Sequence, residues 1–369
     1  MIACKERYTP PVSSTNKNYL VVDGVIISGN DSTTITLTRT ANIGDSVLYK
    51  PETGAQVMVA GEANETFTLT DVGNGSYVSA GLNLNTSEKY QLKITTADNR
   101  QYISDFVPNR AAPPIDSLGW YQDSVNNVQI YVTSHDPTNN TRYYKWDYVE
   151  TWQYRSSYKS LFDWVNDNIQ LRLPQQSLYD CWSTALSSGI HIASSAKLSQ
   201  DVIYQAPVAT VLNSDERISV EYSILLKQYA LTQDAYNFWQ NLKSTTEQLG
   251  SLFDPQPSQI QGNIHCVTNP TETVIGFVSV SSVQTKRFFI SSESLNLRKW
   301  QYIPYYQGFL CTTKVIPPDS MNYYFPPMGP RFWVLVGQLP FSPNYTALPT
   351  ECADCREHGG TTVKPTYWP

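Results

Sequence analysis

The cysteines carry the most capacity for chemistry, and their spacing narrows what that chemistry can be. Cys352-Ala353-Asp354-Cys355 has the C-x-x-C spacing shared by zinc knuckles and dithiol redox motifs. A structural zinc wants a second pair of matching spacing, and the sequence offers only His358 nearby. A thioredoxin-like centre wants a βαβ setting, whereas this motif sits in a Pro-rich tail. The spacing therefore points to a vicinal or crossed disulfide that staples the tail. With Cys4 set aside, Cys181, Cys266, Cys311, Cys352 and Cys355 remain, which in an exported protein implies two disulfides and one leftover thiol, with the pairing open.

Other chemistry finds less support. His135, His191, His265 and His358 lie in no H-E-x-x-H setting, and no G-x-S-x-G elbow or phosphate-binding glycine loop occurs. His135-Asp136-Pro137 reads as the start of a turn. The expectation is a non-enzymatic protein without metal or cofactor. A hydrolase built from distant paired carboxylates is the alternative, because glycosidase acids are recognised by their separation in space.

Aromatic clusters offer binding chemistry instead. Trp146, Tyr148, Trp152 and Tyr154 share one face of a strand, and Tyr302, Tyr305, Tyr306, Phe309, Tyr323, Tyr324 and Phe325 crowd a late irregular region. Exposed aromatics give large rigid contact area to sugar rings or protein partners. Trp146, Trp152, Tyr305, Tyr306, Tyr323 and Tyr324 are the expected partner- or ligand-binding residues, weighed against simple core or loop packing.

The first residues speak to location. Met1-Ile2-Ala3-Cys4 matches the last four positions of a bacterial lipobox, so the chain reads as starting inside its own signal peptide, with Cys4 as the lipidated residue. Residues 5–18 are polar, with only Tyr8 and Val12 as bulky apolar side chains, and suit a flexible tether.

Composition fits an exported β-protein. Asp, Glu, Lys and Arg make up 16% of the 369 residues, against roughly 25% in an average soluble chain. Tyr contributes 25 residues and Trp 9, so neutral polar and aromatic groups build much of the surface. A net charge of -6 argues against a nucleic-acid partner, which needs clustered Lys and Arg.

The elements that must position these residues are mostly strands. Ser32 to Arg39 alternates with period two, placing Thr33, Ile35 and Leu37 on one face, and Lys89–Thr96 and Arg100–Ser104 flank an Ala97-Asp98-Asn99 turn. About seven such strands in roughly 90 residues predict an immunoglobulin-like β-sandwich over 19–110. Pro113-Pro114 marks a boundary, after which a second, fibronectin-III-like β-domain with a long insertion is expected over 111–340. Within it Thr232 caps a helix over 233–249, with Ala235, Phe238, Trp239, Leu242 and Leu249 at helical spacing, to cover a sheet edge or face. Residues 341–369 form the Cys-containing tail. The fold class is mainly β.

Several segments taken in order carry a family resemblance. They are Leu231-Thr232-Gln233-Asp234-Ala235-Tyr236-Asn237-Phe238-Trp239, Leu249-Gly250-Ser251-Leu252-Phe253-Asp254-Pro255-Gln256-Pro257-Ser258 and Gly262-Asn263-Ile264. Val274-Ile275-Gly276-Phe277 with Lys286-Arg287, the Cys181-Trp182 pair, and the ending from Cys352 through Gly359-Gly360-Thr361 to Lys364-Pro365-Thr366-Tyr367-Trp368 fit the same pattern. The chain resembles a family of Bacteroidota outer-membrane lipoproteins classed only as a domain of unknown function. The resemblance implies a lipid-anchored protein on the outer membrane, facing the cell exterior. It also implies a gene neighbour encoding a TonB-dependent β-barrel receptor. The expected function is an accessory or ligand-capture partner of that transporter; a stand-alone glycan- or peptide-binding lipoprotein is the alternative.

Overall fold

Alternation in sequence becomes alternation of burial. In Thr33–Thr40 the side chains of Thr33, Ile35, Leu37 and Arg39 point inward while those between are more exposed, and in Lys89–Thr95 the inward set is Tyr90, Leu92 and Ile94. The computed structural model describes residues 18–41, 49–247, 262–296 and 311–369. Cys4, Tyr302, Tyr305, Tyr306 and Phe309, and helix positions 248 and 249, lie outside the described residues. The architecture is mainly β and sandwich-like, and it divides into two units: 1–112 with 141–144 and 229–283, and 113–140 with 145–228 and 284–369.

The first unit is a sandwich. In one layer Leu20–Ile27 pairs antiparallel with Thr33–Thr40, which pairs with Ser76–Ser79. In the other, Gln56–Gly61 pairs with Lys89–Thr95, and that strand pairs with Gln101–Ser104. Thr66–Gly73 takes part in both, with Leu69 opposite Val57 and Thr70 opposite Val78. Val22, Ile35 and Leu37 from one layer meet Val57, Leu92 and Ile94 from the other in a shared core. At roughly 1.5–3 kcal/mol for each large apolar side chain buried, that core supplies most of the unit's driving force.

The sequence places this unit's end at 110, yet residues 229–283 return to it. Val274–Ile275 and Ser279–Ser281 pair in parallel with Leu20–Ile27, and Ile264–Cys266 adds beside Gln101–Ser104. Both layers thereby gain an edge strand, which shields open backbone groups. The helix Gln233–Thr246 belongs to this unit too. Thr232 Oγ1 accepts from Ala235 N–H at 3.2 Å, the capping bond that starts it. Ala235 and Phe238 are buried, with Phe238 against Phe277 and Tyr236 against Tyr143.

The second unit holds a three-stranded sheet ordered Ile115–Gln122, Val128–His135, Val202–Val211, and a sheet ordered Asp180–Leu186, Tyr143–Arg155, Glu221–Ala230, Val283–Ser291. Gln228 from the second sheet donates to Ser134 Oγ of the first at 2.9 Å and accepts from Trp146 Nε1 at 2.8 Å. Pro207 and two register shifts interrupt the strand Val202–Val211, blunting an exposed edge.

The tail is structured, so the expected boundary at 340 falls inside a sheet. Tyr345–Pro349 is its central strand, between Lys314–Ile316 and Trp333–Gln338. Further on, the chain wraps the edge of Asp180–Leu186: Trp182 and Thr361 exchange backbone bonds at 2.8 and 2.9 Å. A Cβ at Gly360 would collide with Tyr154 Oη, so only glycine permits this approach. Trp368 then docks edge-on against Trp182 and Phe289, and Tyr367 Oη lies 2.9 Å from Thr151 Oγ1.

Candidate functional site

The second unit contains a cavity of about 450 Å³, within the range of small-molecule sites. Three local structures build it. The first is a hairpin, Phe162–Val165 with Asn168–Leu171, whose Val165 and Asn168 pair across Asn166-Asp167. Both turn residues have positive φ, 51° and 55°, which Asn and Asp tolerate and a type I′ turn requires. This turn fixes Asp163 and Trp164. The second is the three-stranded sheet, which supplies Trp333, Val334 and Leu335; the third is the turn around Asp354 and Arg356.

Disulfides hold that last turn in place. Cys355 bonds Cys181 and Cys352 bonds Cys311, so the two cysteines of the C-x-x-C motif reach in different directions, while Cys266 is free and buried. Two crosslinks and one leftover thiol match the sequence expectation, and the pairing is the crossed one. Asp354 sits between the cysteines with its side chain 6% exposed, accepts from Arg356 Nε at 2.9 Å and Nη2 at 2.7 Å, and caps the turn through Arg356 N–H.

Arginines and carboxylates alternate around the cavity. Asp163 pairs with Arg172 at 3.3 Å and Arg331 at 3.0 Å. Arg172, only 10% exposed, also donates to Ser160 Oγ and to the carbonyls of Gln176 and Phe162. Burial lowers its pKa from the usual guanidinium value; Arg356 and Arg331 push the same way while Asp163 and Asp354 oppose. Arg331 donates to Trp164 O at 3.1 Å and keeps 40% of its side chain exposed. Glu357 adds a third carboxylate to the lining, and Leu178, Phe325, Trp333 and Leu335 give apolar surface. Such an arrangement suits binding through fixed charges, since charge-assisted bonds orient a ligand strongly.

The expected aromatic residues take different places. Trp146, 1% exposed and bonded to Gln228, is a core residue, which corrects its assignment to a binding surface. A shared strand face can point inward as readily as outward. Tyr154 is buried on the same face, and Trp152 packs half-buried on Tyr154 and the Cys181–Cys355 disulfide. Tyr324 packs on Ile316 and Met321, with Lys314 Nζ 4.5 Å over its ring, so it too is mainly structural. Tyr323 is 80% exposed and remains available. Met328, Phe332 and Phe341 are also exposed in this part of the unit, and Phe341 adopts φ 56°, a strained conformation for a bulky residue. Asp163, Arg172, Arg331, Asp354 and Arg356 have no sequence motif; the one local hint is Asp354-x-Arg356 overlapping the second cysteine of the motif.

Comparison with known proteins gives a family and little else. Residues 5–287 match a family described as "Domain of unknown function (DUF4249)". No curated protein matches. Among solved structures the chain is similar to a chitinase from Bacillus thuringiensis, at 12% identity over 55% of this chain and 27% of that one, TM-score 0.17. It is also similar to a Salmonella alpha-2-macroglobulin mutant, at 11% identity over 58% of this chain and 14% of that one, TM-score 0.18. The chain spans well under two thirds of either, and scores this low carry no argument about fold or activity.

Proposed function

The chain belongs to the DUF4249 family, and from that membership we propose that it is a ligand-capturing surface lipoprotein that partners a TonB-dependent transporter of a Bacteroidota outer membrane. In this reading Cys4 carries the lipid and the protein performs no catalysis. The observation that carries it is that one unit offers both a charged, partly apolar cavity and exposed Tyr323, Met328, Phe332 and Phe341. The cavity would hold cargo, and the apolar side chains are the kind of surface that marks protein contact.

The carboxylates favour binding over hydrolysis. Asp163 and Asp354 already commit their oxygens to arginine ion pairs, an arrangement of fixed charges that suits holding a ligand. Co-isolation tests the partnership: the full-length lipoprotein, extracted from native outer membranes in mild detergent, brings a β-barrel protein with it. Recovery free of any barrel would refute the partnership and leave a stand-alone binder.

A further inference from the structure

The cavity is lined by three arginines and three carboxylates, and they interleave: Asp354 and Arg356 act on Arg172, and Asp163 acts on Arg356. No wall of one sign results, so a ligand of either charge gains little net attraction there. Most of the charged groups are also spent. Arg172 donates to Ser160, Gln176 and Phe162, and Arg331 commits both terminal nitrogens to Asp163 and Trp164. What stays open is a set of single hydrogen-bonding groups. Arg356 uses Nε and Nη2 on Asp354, which leaves Nη1 on a side chain 55% exposed. Gln176 accepts from Leu173 N–H through Oε1 and keeps its amide N–H groups as donors. The Ser177 hydroxyl accepts from Tyr179 N–H and can still donate. A carboxylate oxygen has two acceptor sites, and Asp163 Oδ2 meets Arg172 Nη1 at 3.3 Å with one of them. Glu357 adds an exposed carboxylate and Trp333 a half-buried ring.

We infer that the cavity binds a neutral saccharide, with vicinal hydroxyls of the sugar bridging Arg356 and Glu357 and its C–H face on Trp333. This rests on the ligand-capture reading and names the ligand class. Arg356 and Glu357 are successive residues of one turn, a donor beside an acceptor. A hydroxyl donates and accepts at one oxygen, and a vicinal diol sets two such oxygens side by side, so it meets both groups at once. An amide ligand has one fixed donor and one fixed acceptor, which suits a single arrangement of partners. An apolar ligand would strip water from Asp163 and Arg356 and return no hydrogen bond. The volume of about 450 Å³ suits a small saccharide.

Calorimetric titration of the full chain with maltose, cellobiose, lactose and mannobiose tests this, against digalacturonate and the glucosamine dimer as charged counterparts. A neutral disaccharide binds about tenfold or more tighter than either charged one. Glu357→Ala and Arg356→Ala each weaken that sugar by about tenfold, the size of one lost hydrogen bond to a charged group. Glu357 is exposed, so its variant keeps the test readable should Arg356→Ala misfold. Tighter binding of a charged dimer, sugar binding that neither substitution weakens, or no binding of any neutral sugar overturns the inference. A charged dimer that binds instead leaves ligand capture standing, and the transporter partnership stands or falls separately, by whether a barrel co-isolates.

Discussion

The carboxylate of Asp163 meets the guanidinium of Arg331, 168 residues further along the chain, at 3.0 Å. The pair joins the hairpin to the sheet that carries Trp333, and Arg172 shares the same carboxylate. Asp163→Asn leaves two arginines without their anion. It costs roughly 1–3 kcal/mol, read as a lower urea midpoint at unchanged slope. Unchanged stability would show that Asp163 does not organise the site.

Crosslinking makes a second prediction. Non-reducing peptide mapping finds Cys181 with Cys355 and Cys311 with Cys352, and, among the cysteines of the described residues, one thiol, Cys266, that reacts with iodoacetamide only after unfolding because it is buried. Replacing Cys181 and Cys355 by Ser costs about 2–5 kcal/mol, since that bond closes the longer loop. Rapid labelling of Cys266 in the native protein, or a peptide joining Cys352 to Cys355, would contradict the pairing.

In the first unit a buried network ties the loop around Glu272 to the sandwich. Arg39, 7% exposed, pairs with Glu52 at 2.6 Å and Glu272 at 3.3 Å, and Tyr102 donates to Glu272 at 2.6 Å. Glu272→Ala leaves Arg39 and Tyr102 short of an acceptor and destabilises by about 3 kcal/mol. Calorimetry or urea unfolding reads the loss, and a change below about 0.5 kcal/mol, ordinary for a surface substitution, would rule the network out as a stabilising feature.

Tyr102 also gives a pH dependence. Burial, helped by its bond to Glu272 and opposed by Arg39, raises its phenol to about 12, against about 10 in an unfolded chain. Its stabilising contribution is complete below about pH 10. Above that the unfolded chain gives up the proton first, so stability falls as pH rises toward 12. Tyr102→Phe makes the alkaline decline of unfolding free energy shallower than in the parent. An identical decline in both proteins would remove Tyr102 as its source.

The docked C-terminus is testable by substitution. Trp368 is buried against Trp182 and Phe289. Trp368→Ala costs about 3 kcal/mol by loss of packing and exposes the residues after Thr361 to carboxypeptidase. A variant as protease-resistant as the parent would mean that the tail is held elsewhere.

Legibility in the sequence tracked the range of the interactions. Period-two alternation marked Thr33, Ile35 and Leu37 as one inward face, and Thr232 announced its helix, because each signal lies within one element. The exchange of residues 229–283 into the first unit was invisible, since the pairing of Leu20–Ile27 with Ser279–Ser281 is set by tertiary packing across some 250 residues. Trp146 misled for a related reason: periodicity says which side chains share a face, and only the partner sheet decides which face is buried. The cavity was the least legible feature. Asp163, Arg172, Arg331 and Arg356 converge from separate segments, and an arginine destined for a cavity looks in sequence like one destined for solvent.

The central claim, that the protein is a lipoprotein working bound to an outer-membrane transporter, is tested most directly by native mass spectrometry of the full-length protein extracted from membranes. The predicted result is a stable particle heavier than the 41.6 kDa chain by the mass of one β-barrel protein, with the barrel released on collisional activation. A single species at the mass of the lipidated chain alone, under conditions that keep other outer-membrane complexes intact, would contradict it.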